Sequence, residues 1–186
     1  MGYKGMAIAT ALVAILAAGS VYVLLQPADD EYSGGHQVDY VLLYDNLERI
    51  SHYGVAVLGD SESDSARELA MTFGGTVVSS TEDIGSNAIV FVDASWDVTA
   101  DDRSRAVADL VNGGKLVGSF DDPYMFRDAS HYLSYSAWSG EGDFVGMYTG
   151  YKGVALDVIA DDDDIVLERV CEGILEMFRE SPPATA

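Results

Sequence analysis

The sequence "AIVFVDASWDVTADDRSRAVADLVNGGKLVGSF", residues 88–120, alternates two apolar runs with one helical pattern. The apolar runs cover residues 88–93 and 115–120, and each is short enough to be a buried strand. Between them lie the signals of one amphipathic helix: a capping box at Thr99 and Asp102, an apolar stripe at Val107, Leu110 and Val111, and a stop at Gly113 and Gly114. This order predicts a strand, a helix and a second strand parallel to the first.

Two further helices are predicted toward the N-terminus. Ser65 and Glu68 form a capping box before an apolar stripe, and the double glycine at 74–75 ends that helix. A shorter helix is predicted over 47–53 with Asn46 as its cap. The unit of helix, double glycine and strand therefore occurs twice in the chain.

Five strands are predicted from short apolar runs, at 38–45, 55–59, 76–80, 88–93 and 115–120. Helical patterns between these runs are typical of an α/β protein with a mostly parallel sheet flanked by helices. After residue 120 the β-rich runs are separated only by "GEGD" and "GYKG", which predicts antiparallel strands or a meander.

A final amphipathic helix is predicted from apolar residues at helical spacing, namely Leu167, Val170, Cys171, Ile174, Leu175 and Phe178. The four aspartates at 161–164 precede it, and we interpret them as capping residues at the positive end of the helix dipole. Cys171 lies on the apolar stripe and is predicted to be a small buried side chain. Residues 181–186 are predicted to be a disordered tail.

The N-terminal part of the chain carries an uncharged segment of the length that spans a bilayer. Residues 6–25, "MAIATALVAILAAGSVYVLL", have no charge, and a helix of this length measures about 30 Å. Lys4 precedes the segment and acidic residues follow it, which favours a cytoplasmic N-terminus at 1–5. The sequence thus predicts a signal anchor, a polar linker over 26–37 and an extracytoplasmic domain over 38–180.

Two alternatives for the segment remain open at this point. The small residues Ala17 and Gly19 are compatible with a cleaved signal peptide. Lys4 and Gly5 before a hydrophobic helix are compatible with prepilin-type processing, which would make the chain a pilin-like filament subunit beginning at Met6.

Charge and composition exclude one class of partner. The chain has 31 acidic and 10 basic residues and a formal charge of −21, which repels nucleic acid at long range. Its acid-rich, lysine-poor composition resembles that of proteins from salt-loving archaea. With one cysteine, no disulfide can form within the chain.

Five aspartates follow predicted strands, and all of them except Asp60 are the candidates for a cation site: Asp45, Asp93, Asp121 and Asp122. The carboxyl ends of parallel strands meet at one edge of the sheet, where α/β proteins bind ligands. Mg²⁺ and Ca²⁺ prefer oxygen ligands, so either ion is a possible cofactor, although no cofactor is the primary expectation. Helix capping and turn formation are the simpler explanation for each aspartate.

Aromatic residues are concentrated between residues 124 and 151. The candidates for contact with a partner or ligand are Tyr124, Tyr132, Tyr135 and Trp138. The alternative is that these rings pack the predicted meander against the sheet.

Residues 88–120 resemble one unit of the glutamine-amidotransferase-like, flavodoxin-like α/β superfamily. Membrane-anchored members that lack catalytic residues are similar to this layout. The resemblance implies the architecture, while the missing cysteine at a strand-to-helix elbow argues against amidotransferase activity. We therefore expect a membrane protein whose domain binds a partner in the cell envelope without catalysis. The alternative is a divalent-cation-dependent hydrolase or phosphotransferase.

Overall fold

The computed structural model describes residues 37–120, 122–133, 142–149, 154–160 and 162–183. The helices are α1 (Tyr40–Ser51), α2 (Asp64–Thr72), α3 (Ala100–Asn112), α4 (Met125–Asp128) and α5 (Asp163–Glu180), with a 3₁₀ helix at Thr81–Ile84. The strands are β1 (Val55–Leu58), β2 (Thr76–Val78), β3 (Ile89–Val92), β4 (Leu116–Ser119), β5 (Phe144–Tyr148) and β6 (Val154–Val158).

The six strands form one mixed sheet in the order β2-β1-β3-β4-β5-β6. The first four strands in this order run parallel. β5 pairs antiparallel with β4, and β6 pairs antiparallel with β5. The predicted α/β class is therefore confirmed, and antiparallel strands do follow residue 120.

Helices cover both faces of the sheet. Val55 and Val57 face α1, α2 and α5, whereas Ala56 and Leu58 face α3, α4 and the 3₁₀ helix. All four residues of β1 are buried, as are all four of β3 and of β4. A strand buried on both faces has no polar side to show, which is why these strands read as continuous apolar runs.

The predicted strand at 38–45 is wrong, because residues 40–45 form the first half of helix α1. Asp39 is the N-cap, and its Oδ1 accepts hydrogen bonds from the backbone N–H groups of Val41 (3.1 Å) and Leu42 (3.2 Å). Asn46, the predicted cap, is instead a buried residue in the middle of the helix. The predicted helix over 47–53 is the second half of the same element.

The other predicted helix starts had mixed outcomes. The Thr99 cap is confirmed, since its Oγ1 accepts a hydrogen bond from the Asp102 N–H at 3.2 Å. The capping box at Ser65 is wrong, because Ser65 lies inside α2, which begins at Asp64 with Ser63 as its N-cap. The acidic run before α5 acts as predicted, with Asp162 accepting a hydrogen bond from the Asp164 N–H at 2.9 Å.

A glycine pair makes room for one large ring in the sheet. Gly118 of β4 lies opposite Gly146 of β5. A Cβ at Gly118 would lie 2.5 Å from Cζ of Phe144, and one at Gly146 would lie 2.9 Å from its Cε1. The Phe144 ring also packs on Phe120, with ring centroids 4.7 Å apart. The two glycines thus let Phe144 support Phe120 at the end of β4.

Cys171 is fully buried on the apolar face of α5, as predicted. Burial raises the pKa of its thiol to about 12, so the group is protonated at neutral pH.

Among the described helices, none is long and apolar enough to cross a membrane. The predicted membrane segment at 6–25 lies outside the described residues, as do the rest of 1–36 and residues 184–186.

Candidate functional site

An open cleft of about 480 Å³ lies at the carboxyl end of the parallel strands. One wall is α2 and the opposite wall is the first part of α5. The residues that follow β3 and β4 and the residue that precedes β5 complete the lining. The antiparallel direction of β5 brings its first residue to this edge. The cleft therefore occupies the position where open α/β sheets bind ligands.

The lining combines an apolar surface with carboxylates and hydroxyls. The apolar side chains are Leu69, Phe73, Phe120, Val166 and Leu167. The polar side chains are Ser65, Glu68, Thr72, Asp93, Asp143 and Asp163. This arrangement suits a ligand with an apolar or aromatic body, and the carboxylates repel anions and attract cations.

Asp93 is the deepest carboxylate of the cleft, with 2% of its surface exposed. Its Oδ1 accepts hydrogen bonds from the backbone N–H of Ser95 at 2.9 Å and from the Ser95 hydroxyl. The Ser95 Oγ in turn accepts a hydrogen bond from the Asp60 N–H at 3.0 Å. Ser95 thus joins the loops after β1 and β3 and fixes the Asp93 side chain between them.

Asp143 connects the two antiparallel strands at the cleft. Its Oδ2 accepts a hydrogen bond from the Ala160 N–H at 3.0 Å, which ties the start of β5 to the loop after β6. Asp163 belongs to the first turn of α5 and is exposed. Both carboxylates thus lie on backbone that neighbouring elements hold in place.

The four aspartates predicted as cation ligands do not share one place. Asp45 is exposed on α1, so its predicted position after a strand is wrong. Asp93 lines the cleft, whereas Asp122 lines a separate hollow of about 190 Å³ together with Arg103. Asp121 lies outside the described residues.

Local hydrogen bonds account for the position of Asp122. Its N–H donates to Ser119 Oγ at 3.2 Å, and its Oδ1 accepts from the Tyr124 N–H at 3.1 Å. Over the described ranges, no group of three or more His, Cys, Asp or Glu side chains is arranged to hold a metal ion. The prediction of a cation site therefore gains no support from the aspartates that suggested it.

Two of the four candidate aromatic residues lie in the described part of the chain. Tyr124 is exposed beside Arg127, whose Cζ lies 4.2 Å from the ring centroid. Tyr132 packs against the core under α3, and its hydroxyl donates to Asp101 Oδ1 at 2.7 Å. Tyr135 and Trp138 lie outside the described residues. The use of these rings as a partner-binding surface stays a prediction.

Tyr132 forms a small polar cluster on α3. Arg105 Cζ lies 4.7 Å from the Tyr132 ring centroid, and Arg105 Nε donates to Asp101 Oδ2 at 2.9 Å. The hydrogen bonds from Tyr132 and then Arg105 lower the pKa of Asp101. The same hydrogen bond to Asp101 raises the pKa of Tyr132. The cluster holds the turn after α4 against α3.

Sequence patterns did not identify most residues of the cleft. The sequence predicts Glu68 as part of a capping box and Asp163 as one member of an acidic cap, so neither pattern indicates a binding site. Asp143 precedes a strand, and the rule that binding residues follow the strands of a parallel sheet therefore does not identify it. The signal for Asp143 is the pairing of β5 with β4, which brings the start of β5 to the cleft and which no local sequence pattern gives.

Comparisons of this chain with protein families, curated proteins and solved structures find no match. The fold and the cleft define an α/β domain with a mixed sheet and an acidic, partly apolar cleft at the carboxyl ends of its parallel strands.

Proposed function

We propose that this chain is a single-pass membrane protein whose acidic extracytoplasmic α/β domain binds a partner or ligand at the cleft without catalysis. The observation that carries the binding function is the cleft itself, with its apolar walls between α2 and α5. Burial and a thiol pKa of about 12 keep Cys171 out of nucleophilic chemistry.

The charge of the cleft defines the kind of group it would bind. Four carboxylates line it, from Glu68, Asp93, Asp143 and Asp163, and the whole chain carries a formal charge of −21. A cationic group on an apolar or aromatic body matches this lining. Such a group occurs on basic peptide segments of an envelope partner and on small aromatic amines.

Three small molecules with the same ring and different charge test this preference. The full chain in lipid nanodiscs is melted with phenethylamine, with phenethyl alcohol or with 3-phenylpropanoate. A ligand that binds only the native state raises the melting temperature, by an amount that grows with its concentration relative to Kd. We expect phenethylamine to give the largest increase and 3-phenylpropanoate the smallest. Equal shifts for all three, or no shift, would contradict the proposed preference.

The membrane anchor is supported by the uncharged segment 6–25 and by Lys4 before it. Its topology is tested with the Met71→Cys variant, since Met71 is exposed on α2 and the native Cys171 is buried. A membrane-impermeant maleimide should label this variant on intact cells and leave the wild-type chain unlabelled. Labelling that requires cell lysis would place the domain inside.

The pilin-like filament alternative is tested by the N-terminus of the mature protein. A chain that begins at Met6 supports processing and assembly, whereas an intact N-terminus supports a retained anchor. Membership of the glutamine-amidotransferase-like superfamily likewise stays a prediction from residues 88–120.

A divalent-cation-dependent hydrolase or phosphotransferase is the second candidate, because Asp93, one of the predicted cation ligands, lines the cleft and Mg²⁺ and Ca²⁺ prefer oxygen ligands. The full chain is melted with MgCl₂ or CaCl₂ and with NaCl at matched ionic strength, since salt alone screens an acidic protein. If the cleft binds the ion, the melting temperature should rise with the divalent salt until the site is saturated. The Asp93→Asn and Asp163→Asn variants should abolish this rise. Equal increases in all three salts would count against this function.

A further inference from the structure

Helix α1 exposes apolar side chains at its N-terminal end. The exposed fractions are 82% for Val41, 69% for Tyr44, 51% for Tyr40 and 43% for Leu42. We refer to these four residues as the α1 patch. The exposed residues further along the helix, such as Asp45 and Glu48, are polar. Several exposed apolar side chains within two helical turns are typical of a contact with another molecule or with lipid.

The α1 patch is fixed to the rest of the domain at the same edge as the cleft. The Asp39 N–H donates to Glu168 Oε1 at 3.2 Å, and the Tyr40 hydroxyl donates to Asp164 Oδ2 at 2.7 Å. Asp163 and Leu167, from the same two turns of α5, line the cleft. The patch and the cleft therefore lie on two sides of the N-terminal end of α5.

The chain before α1 indicates what covers the patch. The uncharged segment ends at residue 25, and residues 26–39 separate it from Tyr40. Even a fully extended chain of this length spans at most about 50 Å. A chain anchored by residues 6–25 thus keeps the α1 patch close to the bilayer surface. Tyrosine rings and aliphatic side chains suit the interfacial zone of a bilayer.

We propose that the α1 patch docks into the interfacial zone of the membrane and holds the edge of the sheet that carries the cleft at the bilayer surface. This inference rests on the proposed anchor at residues 6–25. The docked domain would take its ligand at the membrane surface. The cleft would then be best placed for a partner or amphiphile that is itself held in the membrane.

Charge around the patch predicts which lipids it prefers. Asp39, Asp45, Glu48 and Asp164 lie on or beside the first turns of α1. These carboxylates repel anionic headgroups, so docking should be strong on phosphatidylcholine and weak on phosphatidylglycerol at low salt. High salt should restore it on phosphatidylglycerol, because the Debye length falls from about 30 Å at 0.01 M to about 3 Å at 1 M.

The test uses the full chain in nanodiscs of phosphatidylcholine at one chain per disc. Val41→Cys is labelled with an environment-sensitive fluorophore, and the buried Cys171 should stay unlabelled. Met71→Cys is the matched control, since Met71 is a similarly exposed apolar residue (77%) on α2. Quenching is measured with lipids that carry a nitroxide near the headgroup.

We expect the label at position 41 to lose most of its fluorescence and the label at position 71 to keep it. Equal quenching at the two positions in chains that do incorporate into discs would overturn docking and leave the anchor standing. Chains that fail to incorporate would overturn the anchor and this inference together. A change in the fluorescence of the label at position 41 that appears only in discs with two chains would assign the patch to a second copy. That result would overturn lipid docking.

Discussion

Ser95 is the residue that orders the deepest part of the cleft. It donates two hydrogen bonds to the buried Asp93 carboxylate and accepts one from the Asp60 N–H. A buried carboxylate needs such partners, because an unsatisfied charged group away from water is costly. The short "DAS" segment after β3 thus carries both the candidate ligand-binding acid and the residue that positions it.

Ser95→Ala should therefore lower the free energy of unfolding by about 1–3 kcal/mol, since it removes one donor to Asp93 and the acceptor for Asp60. The measurement is urea unfolding of the full chain in mild detergent. Ser86→Ala, at an exposed serine in a turn, is the control and should change stability by less than about 0.5 kcal/mol. Equal effects for the two variants would mean that the Ser95 bonds add no stability.

Tyr132→Phe should change stability in a pH-dependent way. The lowered pKa of Asp101 gives stability that is present above about pH 4 and lost as the pH falls through the folded-state value. The raised pKa of Tyr132 gives stability that is present below about pH 10 and lost as the pH rises through the folded-state value.

The wild-type chain should therefore exceed Tyr132→Phe in stability by a constant amount between about pH 5 and 9, and the difference should shrink beyond both limits. Unfolding in urea at a series of pH values measures it. Tyr124→Phe is the control, because its ring also lies over an arginine and phenylalanine keeps that contact. A difference for Tyr132→Phe that is flat from pH 3 to 11 would refute the role of the hydroxyl.

At the scale of elements, α1 shows where hydrophobic pattern misleads. Residues 40–44 are all apolar or aromatic, and of these only Leu43 is buried. Because exposed positions are also apolar, the segment lacks the alternation of apolar and polar faces that marks an amphipathic helix. A continuous apolar run of this length predicts a buried strand instead. The true signals were the Asp39 cap and the helical spacing of Leu43, Leu47 and Ile50. The wrong strand prediction at 38–45 and the proposed membrane contact both follow from apolar residues on an exposed surface.

The two predicted helix caps, Thr99 and Ser65, should differ in their effect on stability. Thr99→Ala should lower the free energy of unfolding by about 1 kcal/mol, because the Thr99 Oγ1 caps the Asp102 N–H of α3. Ser65→Ala should change it by less than about 0.5 kcal/mol, because Ser65 lies within α2 and does not cap it. Thr99→Ser should restore most of the loss at that site. The reverse order of the two alanine effects in urea unfolding would contradict the described helix starts.

The glycine pair between β4 and β5 gives a second prediction at this scale. Gly118→Ala places a Cβ 2.5 Å from Phe144 Cζ, and overpacking of this kind costs about 1–3 kcal/mol. The double variant Gly118→Ala with Phe144→Leu should be more stable than the sum of the two single effects, because leucine frees the space. Simple additivity in a double-mutant cycle would show that the ring and the glycine are not in contact.

At the scale of the whole molecule, the order of the strands determines which parts of the fold and the cleft can be predicted from the sequence. The helix, double glycine and strand units predict the parallel part of the sheet, because each contains its own start and stop signals. The cleft is made by α2, α5 and the beginning of β5, which are distant in sequence and meet only through the pairing of β4 with β5. Asp93 could be predicted from its position after a strand, whereas Asp143 and Asp163 could not.

Binding at the cleft is the central claim for the whole molecule, and one matched pair of variants tests it. Leu167 lines the cleft on α5, and Leu175 is a similarly half-buried leucine about two turns further along the same helix and outside the cleft. Leu167→Trp should fill the cleft, and Leu175→Trp should leave it open. The measurement is the change in melting temperature of the full chain in nanodiscs on addition of phenethylamine.

A ligand at 100 times its Kd stabilises the native state by about 2.7 kcal/mol. We predict that the wild-type chain and Leu175→Trp gain melting temperature with phenethylamine and that Leu167→Trp does not. The same gain in Leu167→Trp as in the wild-type chain would contradict binding at the cleft.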